Sequence, residues 1–147
     1  MSWQVEYFGE ELKTKDGLKP TSEILSGKKA IGIYFSAHWC PPCRGFTPVL
    51  AEFYEELKGD AADIEIVFVS SDRDEASYDS YYGSMPWVSL PFSQQGKKGE
   101  LASKFGVSGI PKLVILNADG ALKDSDGRNT VVSSQGNVSK TYEGWIA

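Results

Sequence analysis

Cys40 and Cys43 stand three apart in the run Phe35-Ser36-Ala37-His38-Trp39-Cys40-Pro41-Pro42-Cys43-Arg44, and their flanks restrict the fold of this chain more than any other feature. Upstream, Lys29–Phe35 is β-rich and apolar almost throughout, the pattern of a strand covered on both faces. Downstream, Phe46, Val49, Leu50, Phe53, Tyr54 and Leu57 recur at steps of three and four. That spacing predicts an amphipathic helix from Pro42 to Lys58, stopped by Gly59 and kinked at Pro48. A strand that needs cover on both sides, followed directly by a helix, requires an α/β arrangement.

The spacing of the cysteines has its own chemistry. In the first turn of a helix, two such residues approach closely enough for a disulfide of ordinary geometry. Cys40, at the helix start, lies where partial positive charge favours a thiolate. Cys43, one turn further in, suits a resolving thiol. Pro41 and Pro42 stiffen the turn and remove two amide donors, so the Cys43 amide matters more to Cys40. The competing readings are a zinc half-site or two inert buried residues. A structural zinc takes four ligands, whereas the chain has 2 Cys and 1 His, and His38 is too near in sequence to complete a standard site. Redox chemistry, with no bound cofactor and no metal, is the stronger reading.

Further along, Ile64–Ser70 reads as a second buried strand, Trp87–Phe92 as a third and Lys112–Asn117 as a fourth. Ala121 opens a short antiparallel partner after the turn Asn117-Ala118-Asp119-Gly120. Helical patterns fall at Asp72–Ser84 and Lys97–Phe105. The first 28 residues read as a weak strand and a short helix, drawn from the apolar cluster Trp3, Val5, Tyr7 and Phe8 and from Ile24-Leu25. Beyond Asp124 the chain is polar, with a strand suggested at Val131-Val132 and a terminal helix at Val138–Trp145. The alternation predicts a central mixed β-sheet flanked by helices on both faces.

The length of 147 residues suits a single domain, with a core over about 25–120, an N-terminal extension 1–24 and a polar C-terminal segment 121–147. Fifteen Lys+Arg against twenty Asp+Glu give a net charge of −5, so no basic face for nucleic acid is expected. The apolar runs are far short of a bilayer span, and the first residues do not read as a signal peptide. A cytoplasmic monomer without membrane contact is the expectation.

Ser108-Gly109-Ile110-Pro111 leads straight into the fourth strand, and a proline there is tolerated at the strand's first position. Beside a C-x-x-C pair, the Ile110–Pro111 bond is expected to be cis. The Ile110 backbone would then lie extended beside Cys40, offering edge hydrogen bonds to a peptide or thiol. Asp72, at the end of the second strand, has two readings: electrostatic control of the dithiol, or the favoured one, N-cap of the next helix. His38 reads as a surface residue modulating charge. Trp87, Trp145 and Tyr78–Tyr82 read as packing.

Trp39-Cys40-Pro41-Pro42-Cys43 with the later Ile110-Pro111 resembles the thioredoxin superfamily. The longer run Tyr34–Pro48 is similar to its tryparedoxin and nucleoredoxin branch, as are Glu52-Phe53-Tyr54, Val67–Glu75, Met85-Pro86-Trp87 and Pro91-Phe92, over about residues 25–120. The resemblance implies the thioredoxin fold and a protein-disulfide reductase. Such a dithiol carrier takes electrons from trypanothione, a bis-glutathionyl spermidine, or a similar low-molecular thiol. It passes them to peroxiredoxin-type peroxidases and other protein disulfides. By position, the resemblance makes Cys40 the attacking thiolate and Cys43 the resolving thiol. Trp39 would shield the site, Pro41, Ile110 and Pro111 would line the partner surface, and Arg128 would touch the thiol substrate. Apart from the resemblance, Arg44 and Asp72 are the candidates to modulate the pair.

The short chain favours the tryparedoxin side of the branch, and the wording Ser70-Ser71-Asp72-Arg73-Asp74 the nucleoredoxin side. Tyr34 stands where thioredoxins keep a buried carboxylate, so another group or water must accept the Cys43 proton. Two rivals remain at this point. One is a bacterial-envelope reductase serving cytochrome maturation, against which Arg44–Pro48 argues. The other is a nucleoredoxin-like interaction module whose dithiol only senses redox state.

Overall fold

The computed structural model describes residues 2–147. Its seven-stranded sheet has the order β2-β1-β5-β4-β3-β6-β7. The strands are β1 (Glu11–Thr14), β2 (Gly17–Pro20), β3 (Ala30–Ser36), β4 (Ile64–Ser70), β5 (Val88–Ser89), β6 (Lys112–Asn117) and β7 (Leu122–Asp124). At the centre, β3 pairs in parallel with β4 over its full length and antiparallel with β6 from Ala30 to Phe35. All seven residues of β3 and all seven of β4 are buried. This is the thioredoxin fold, with helices on both faces of a mixed sheet.

Strand geometry divides the core. Successive side chains point to opposite faces, so Tyr34, Ile66, Phe68, Leu113 and Ile115 join one apolar layer, while Ile31, Ile33, Val67, Val69, Val114 and Leu116 join the other. The first layer is closed by α3 (Pro41–Gly59), α4 (Glu75–Tyr82), α6 (Gly127–Ser133) and α7 (Val138–Ile146), through Phe46, Leu50, Phe53, Tyr78, Val131 and Trp145. The second is closed by α1 (Trp3–Phe8), α2 (Thr21–Leu25) and α5 (Gln95–Lys104), through Phe8, Leu25 and Leu101. Helix α3 continues through Pro48, which denies the Arg44 carbonyl its usual donor. Among the described residues, no helix is long and apolar enough to cross a membrane.

Three expectations need correction, and one hairpin joins the fold where no strand pairing was expected. The Trp3–Phe8 cluster is a helix, not a strand. Ser2 caps it by accepting the Val5 amide, and Trp3 and Tyr7, four apart, meet edge to face at 5.1 Å. The polar stretch around Lys13–Lys19 is a hairpin, turned at Lys15-Asp16 with Gly17 at φ 107° directly after, and fastened by Thr14 Oγ1 donating to the Gly17 carbonyl. The third strand shrinks to Val88–Ser89 because Pro91 has no amide for the ladder, although the Leu90 amide still donates to the Phe68 carbonyl. Val131 and Val132 belong to α6, whose start is set by Asp126 accepting the Asn129 amide.

The C-terminal segment is tied down by one carboxylate. Asp124 Oδ2 accepts from Thr130 Oγ1 at 2.6 Å and from the Trp145 indole at 3.0 Å, while Oδ1 accepts the Asp126 amide at 2.9 Å. Burial works to raise its pKa, but these bonds and the nearby Lys112 outweigh that and hold it below the ordinary 3.8. Helix α6 also needs a glycine at its first residue, since a Cβ on Gly127 would lie 2.9 Å from Leu113 Cγ.

Two stability measurements check this account. Gly127→Ala should lower the urea midpoint, by about 1–3 kcal/mol of stability, through overpacking against β6. Gly45→Ala, with nothing within 4 Å of the added Cβ, should be neutral or stabilising. Asp124→Asn should cost about 1–2 kcal/mol near neutral pH by losing acceptor capacity. Because the folded pKa is depressed, that contribution is complete above the unfolded value and lost as pH falls through the folded one. The gap between parent and variant should therefore close below pH 3.8 and be fully open above about pH 5.

Candidate active site

The two cysteines lie at the head of α3. Cys40 is its N-cap residue and Cys43 falls in the first turn, and the pair forms a disulfide with Cα atoms 5.2 Å apart. The Cys43 amide points at the Cys40 sulfur at 3.3 Å, in the place where Pro41 and Pro42 offer no donor. Burial is unequal: Cys40 is 5% exposed and Cys43 is 0% exposed. Among the described residues, no group of three or more His, Cys, Asp or Glu gathers as a metal site.

From the far end of the sequence, the loop before β6 comes to the same place. The Ile110–Pro111 bond is cis, the Ile110 carbonyl oxygen lies 3.9 Å from the Cys40 sulfur, and the Ile110 side chain packs on Ala37, Cys40 and Cys43. Pro111 is buried and Pro41 exposed.

The loop between β3 and α3 is held from the side of β4. Trp39, 48% exposed, donates its indole N–H to the Ser71 carbonyl at 2.9 Å, and the Arg73 guanidinium lies 5.3 Å from its ring centre. The His38 amide donates to Asp72 Oδ1 at 2.8 Å. This corrects the favoured reading of Asp72. The cap of α4 is Asp74, whose carboxylate accepts the Ser77 amide at 2.7 Å and is thereby held below its ordinary pKa. Asp72 is buried and turned back toward the cysteine loop instead.

Behind Cys43, a cluster of hydroxyls surrounds the place of the missing carboxylate. Thr47 Oγ1 donates to the Cys43 carbonyl at 2.9 Å and is bonded to the hydroxyls of Tyr34 and Tyr81, each at 2.6 Å. Ser36 Oγ extends the chain to Tyr81 at 2.7 Å. One proton arrangement satisfies all of it: Ser36 donates to Tyr81, both tyrosines donate to Thr47, and Thr47 donates to the carbonyl. Burial pushes the Tyr34 hydroxyl far above the ordinary tyrosine range, so it stays neutral.

Arg44 and Arg128 lie further out. Arg44 shares an open groove of about 480 Å³ with His38, Pro48, Glu52, Glu55 and Tyr81. Arg128, on α6, has its guanidinium 5.9 Å from the ring centre of Phe46, one turn of α3 beyond Cys43. The structure thus gathers Cys40, Cys43, Ile110, Pro111 and Trp39 around the disulfide and sets both arginines on its flanks. Thr47, Ser36 and Ser70 have no functional reading in the sequence, and Tyr81, read there as packing, also bonds Ser36 and Thr47. Only the Ser70-Ser71-Asp72 cluster after a strand could have signalled a loop clamp.

A thioredoxin-like family model matches residues 27–122. The chain is 50% identical over 119 residues to the tryparedoxin of Trypanosoma brucei brucei, covering 78% of this chain and 82% of that protein. It is 47% identical over 119 residues to probable nucleoredoxin 1 of Arabidopsis thaliana, covering 81% of this chain but spanning 20% of that protein's length. The solved tryparedoxin from Trypanosoma brucei superposes with a TM-score of 0.83 at 44% identity, over 92% of this chain and 94% of that one. Sharing half its aligned residues with a tryparedoxin along most of both chains, and the same fold around a paired Cys40 and Cys43, the protein belongs to the tryparedoxin family of thioredoxin-like thiol–disulfide oxidoreductases.

Proposed function

We propose that this oxidoreductase is a dithiol carrier that takes electrons from trypanothione or a similar low-molecular thiol and passes them to peroxiredoxin-type peroxidases and other protein disulfides. The observation that carries the reading is the unequal burial of the pair: Cys40 keeps a small exposed edge, 5% of its surface, beside Ile110, and Cys43 keeps none. A solved relative, tryparedoxin II complexed with glutathionylspermidine, supports a polyamine thiol as donor. It is 32% identical, with a TM-score of 0.81 over 88% of this chain and 91% of that one. The net charge of −5 also favours a cationic thiol over anionic glutathione. Thiol-driven turnover needs a compartment that keeps thiols reduced, which the cytoplasm does.

The exchange follows from the site. In the reduced chain the Cys40 thiolate, favoured by the Cys43 amide and the start of α3, attacks one sulfur of the partner disulfide. A mixed disulfide forms, and the other partner sulfur leaves as a thiolate that takes up a proton. Cys43 then loses its proton and attacks the Cys40 sulfur, expelling the second partner thiolate and closing the internal disulfide. Two electrons have passed to the partner. Two thiol groups of the donor reopen the disulfide by the same steps in reverse. Trp39 would screen the mixed disulfide, Pro41, Ile110 and Pro111 would seat the partner chain, and Arg128 would meet a carboxylate of the donor.

The second reading is a nucleoredoxin-like redox-sensing module with weak turnover. The 47% identity to probable nucleoredoxin 1 favours it.

Reduction of insulin, regenerated in parallel by trypanothione, by glutathione and by a thioredoxin reductase system, separates the two. The carrier should turn over fastest with trypanothione. Preference for the reductase, or no turnover with any donor despite an intact dithiol, would favour the sensing module. Cys40→Ser should lose turnover entirely. Cys43→Ser should instead accumulate the mixed disulfide, visible by mass spectrometry under non-reducing conditions.

A further inference from the structure

Asp72 is a buried carboxylate for which the exchange steps have no direct use. It is 7% exposed. Its Oδ1 accepts the His38 amide at 2.8 Å and its Oδ2 accepts Ser70 Oγ at 2.7 Å, while its own amide donates back to Ser70 Oγ at 2.9 Å. The same segment grips the cysteine loop twice more, through the Ser71 amide on the Ser36 carbonyl and the Trp39 indole on the Ser71 carbonyl, both at 2.9 Å. Of these three contacts, only Asp72 brings a charge.

The charged neighbours are few. Lys98, on α5, lines a small cavity with Ser70, and its ammonium is lowered in pKa by desolvation and raised by Asp72. Arg73, next in the chain, lies over Trp39, and the His38 ring packs against Tyr81 at 5.5 Å. His38 is two residues before Cys40, at most roughly 7.6 Å between their Cα atoms. The Asp72 carboxylate, bonded to the His38 amide and itself buried, is therefore held close along the chain to Cys40, and its charge is less screened than an exposed one.

We propose that Asp72 is a positioning residue for Cys40: its carboxylate fastens the Ala37–Trp39 loop through the His38 amide, and its negative charge opposes the thiolate that the head of α3 favours. Lys98 partly offsets that charge. The proposal rests on the reading of Cys40 as the attacking thiol. It places restraint of the thiolate on the Cys40 side of the site, whereas the groups around the Cys43 carbonyl are uncharged hydroxyls.

Three variants separate the parts. Asp72→Asn removes the charge but keeps both bonds, since the amide oxygen accepts from His38 and the amide nitrogen donates to Ser70 Oγ. Lys98→Met keeps the aliphatic stem and removes the offsetting charge. Asp72→Ala removes the fastening as well. Each reduced protein is alkylated with iodoacetamide across pH, which reads the more accessible Cys40, and kcat/KM is measured with insulin.

Asp72→Asn should lower the alkylation midpoint by about half to one pH unit, and Lys98→Met should raise it. Asp72→Ala should lower it too, and should lose about 10-fold or more in kcat/KM that Asp72→Asn retains, as expected for a displaced reacting group. A merely structural residue would not give opposite shifts from Asp72→Asn and Lys98→Met. Unmoved midpoints, or shifts of the same sign, overturn the proposal, as does equal kcat/KM for the Asn and Ala variants. If Asp72→Ala does not fold, the two midpoints alone decide. Failure of the underlying reading shows separately, as turnover that survives Cys40→Ser.

Discussion

Strand β3 sets everything at the functional end of this molecule. Paired along its length with β4 and from Ala30 to Phe35 with β6, and buried at every residue, it has no freedom to shift in register. A slip of one residue would exchange Ile31, Ile33 and Phe35 with Ala30, Gly32 and Tyr34 between the two core layers. Gly32 tightens this further, because even a methyl group there would press on Leu113, Ile115 and Ile66 at 3.3–3.4 Å. The end of β3 is therefore fixed, and the loop that follows has four residues in which to reach α3. Cys40 is placed by that geometry before any interaction of its own is counted.

The two strands that fix β3 also deliver the rest of the site. β4 runs parallel to β3, so its C-terminal extension emerges at the same end and grips the cysteine loop through Ser71 and Asp72. β6 runs antiparallel, so its beginning arrives there, bringing Ile110 and cis-Pro111 against the disulfide. The mixed sheet is thus a functional requirement as much as a topological one. With β6 parallel, the turn at Asn117–Gly120 would face the cysteines and Pro111 would lie at the opposite edge.

How much of this could be read in advance follows from where the signals are local. β3, α3, β4 and β6 were legible because each has an unambiguous period and clear punctuation at Gly59, Ser70 or Pro111. The Trp3–Phe8 helix was misread because Trp3, Val5 and Tyr7 satisfy a period of two, while Trp3 and Tyr7 also satisfy a helical spacing of four. Only the Ser2 cap decides between them. Asp72 and Asp74 posed a similar ambiguity. Both suit an N-cap, and with α4 drawn from Asp72 rather than from its actual start at Glu75, the wrong one was preferred. The hydroxyl cluster had no sequence signal at all, since Ser36, Thr47 and Tyr81 meet only once α3 and α4 are packed on the same face of the sheet. No local pattern marks Arg128, which enters the reading through family likeness alone.

The replacement of a carboxylate by Tyr34 has a consequence for how charge is distributed around the disulfide. A buried ionised group behind Cys43 would need a partner or would take up a proton. Four mutually satisfied hydroxyls avoid that cost, at the expense of leaving no charged acceptor in direct contact with the Cys43 backbone. The buried carboxylate of this site lies instead at Asp72, on the opposite flank of the loop, where the His38 amide, Ser70 and the neighbouring Lys98 share the burden of its burial. On the proposed reading, Cys43 would give up its proton when Cys40 is already tied to a partner, with the site covered and the proton carried off by water or by the leaving thiolate. A chain built this way restrains the first step electrostatically and leaves the second to proximity.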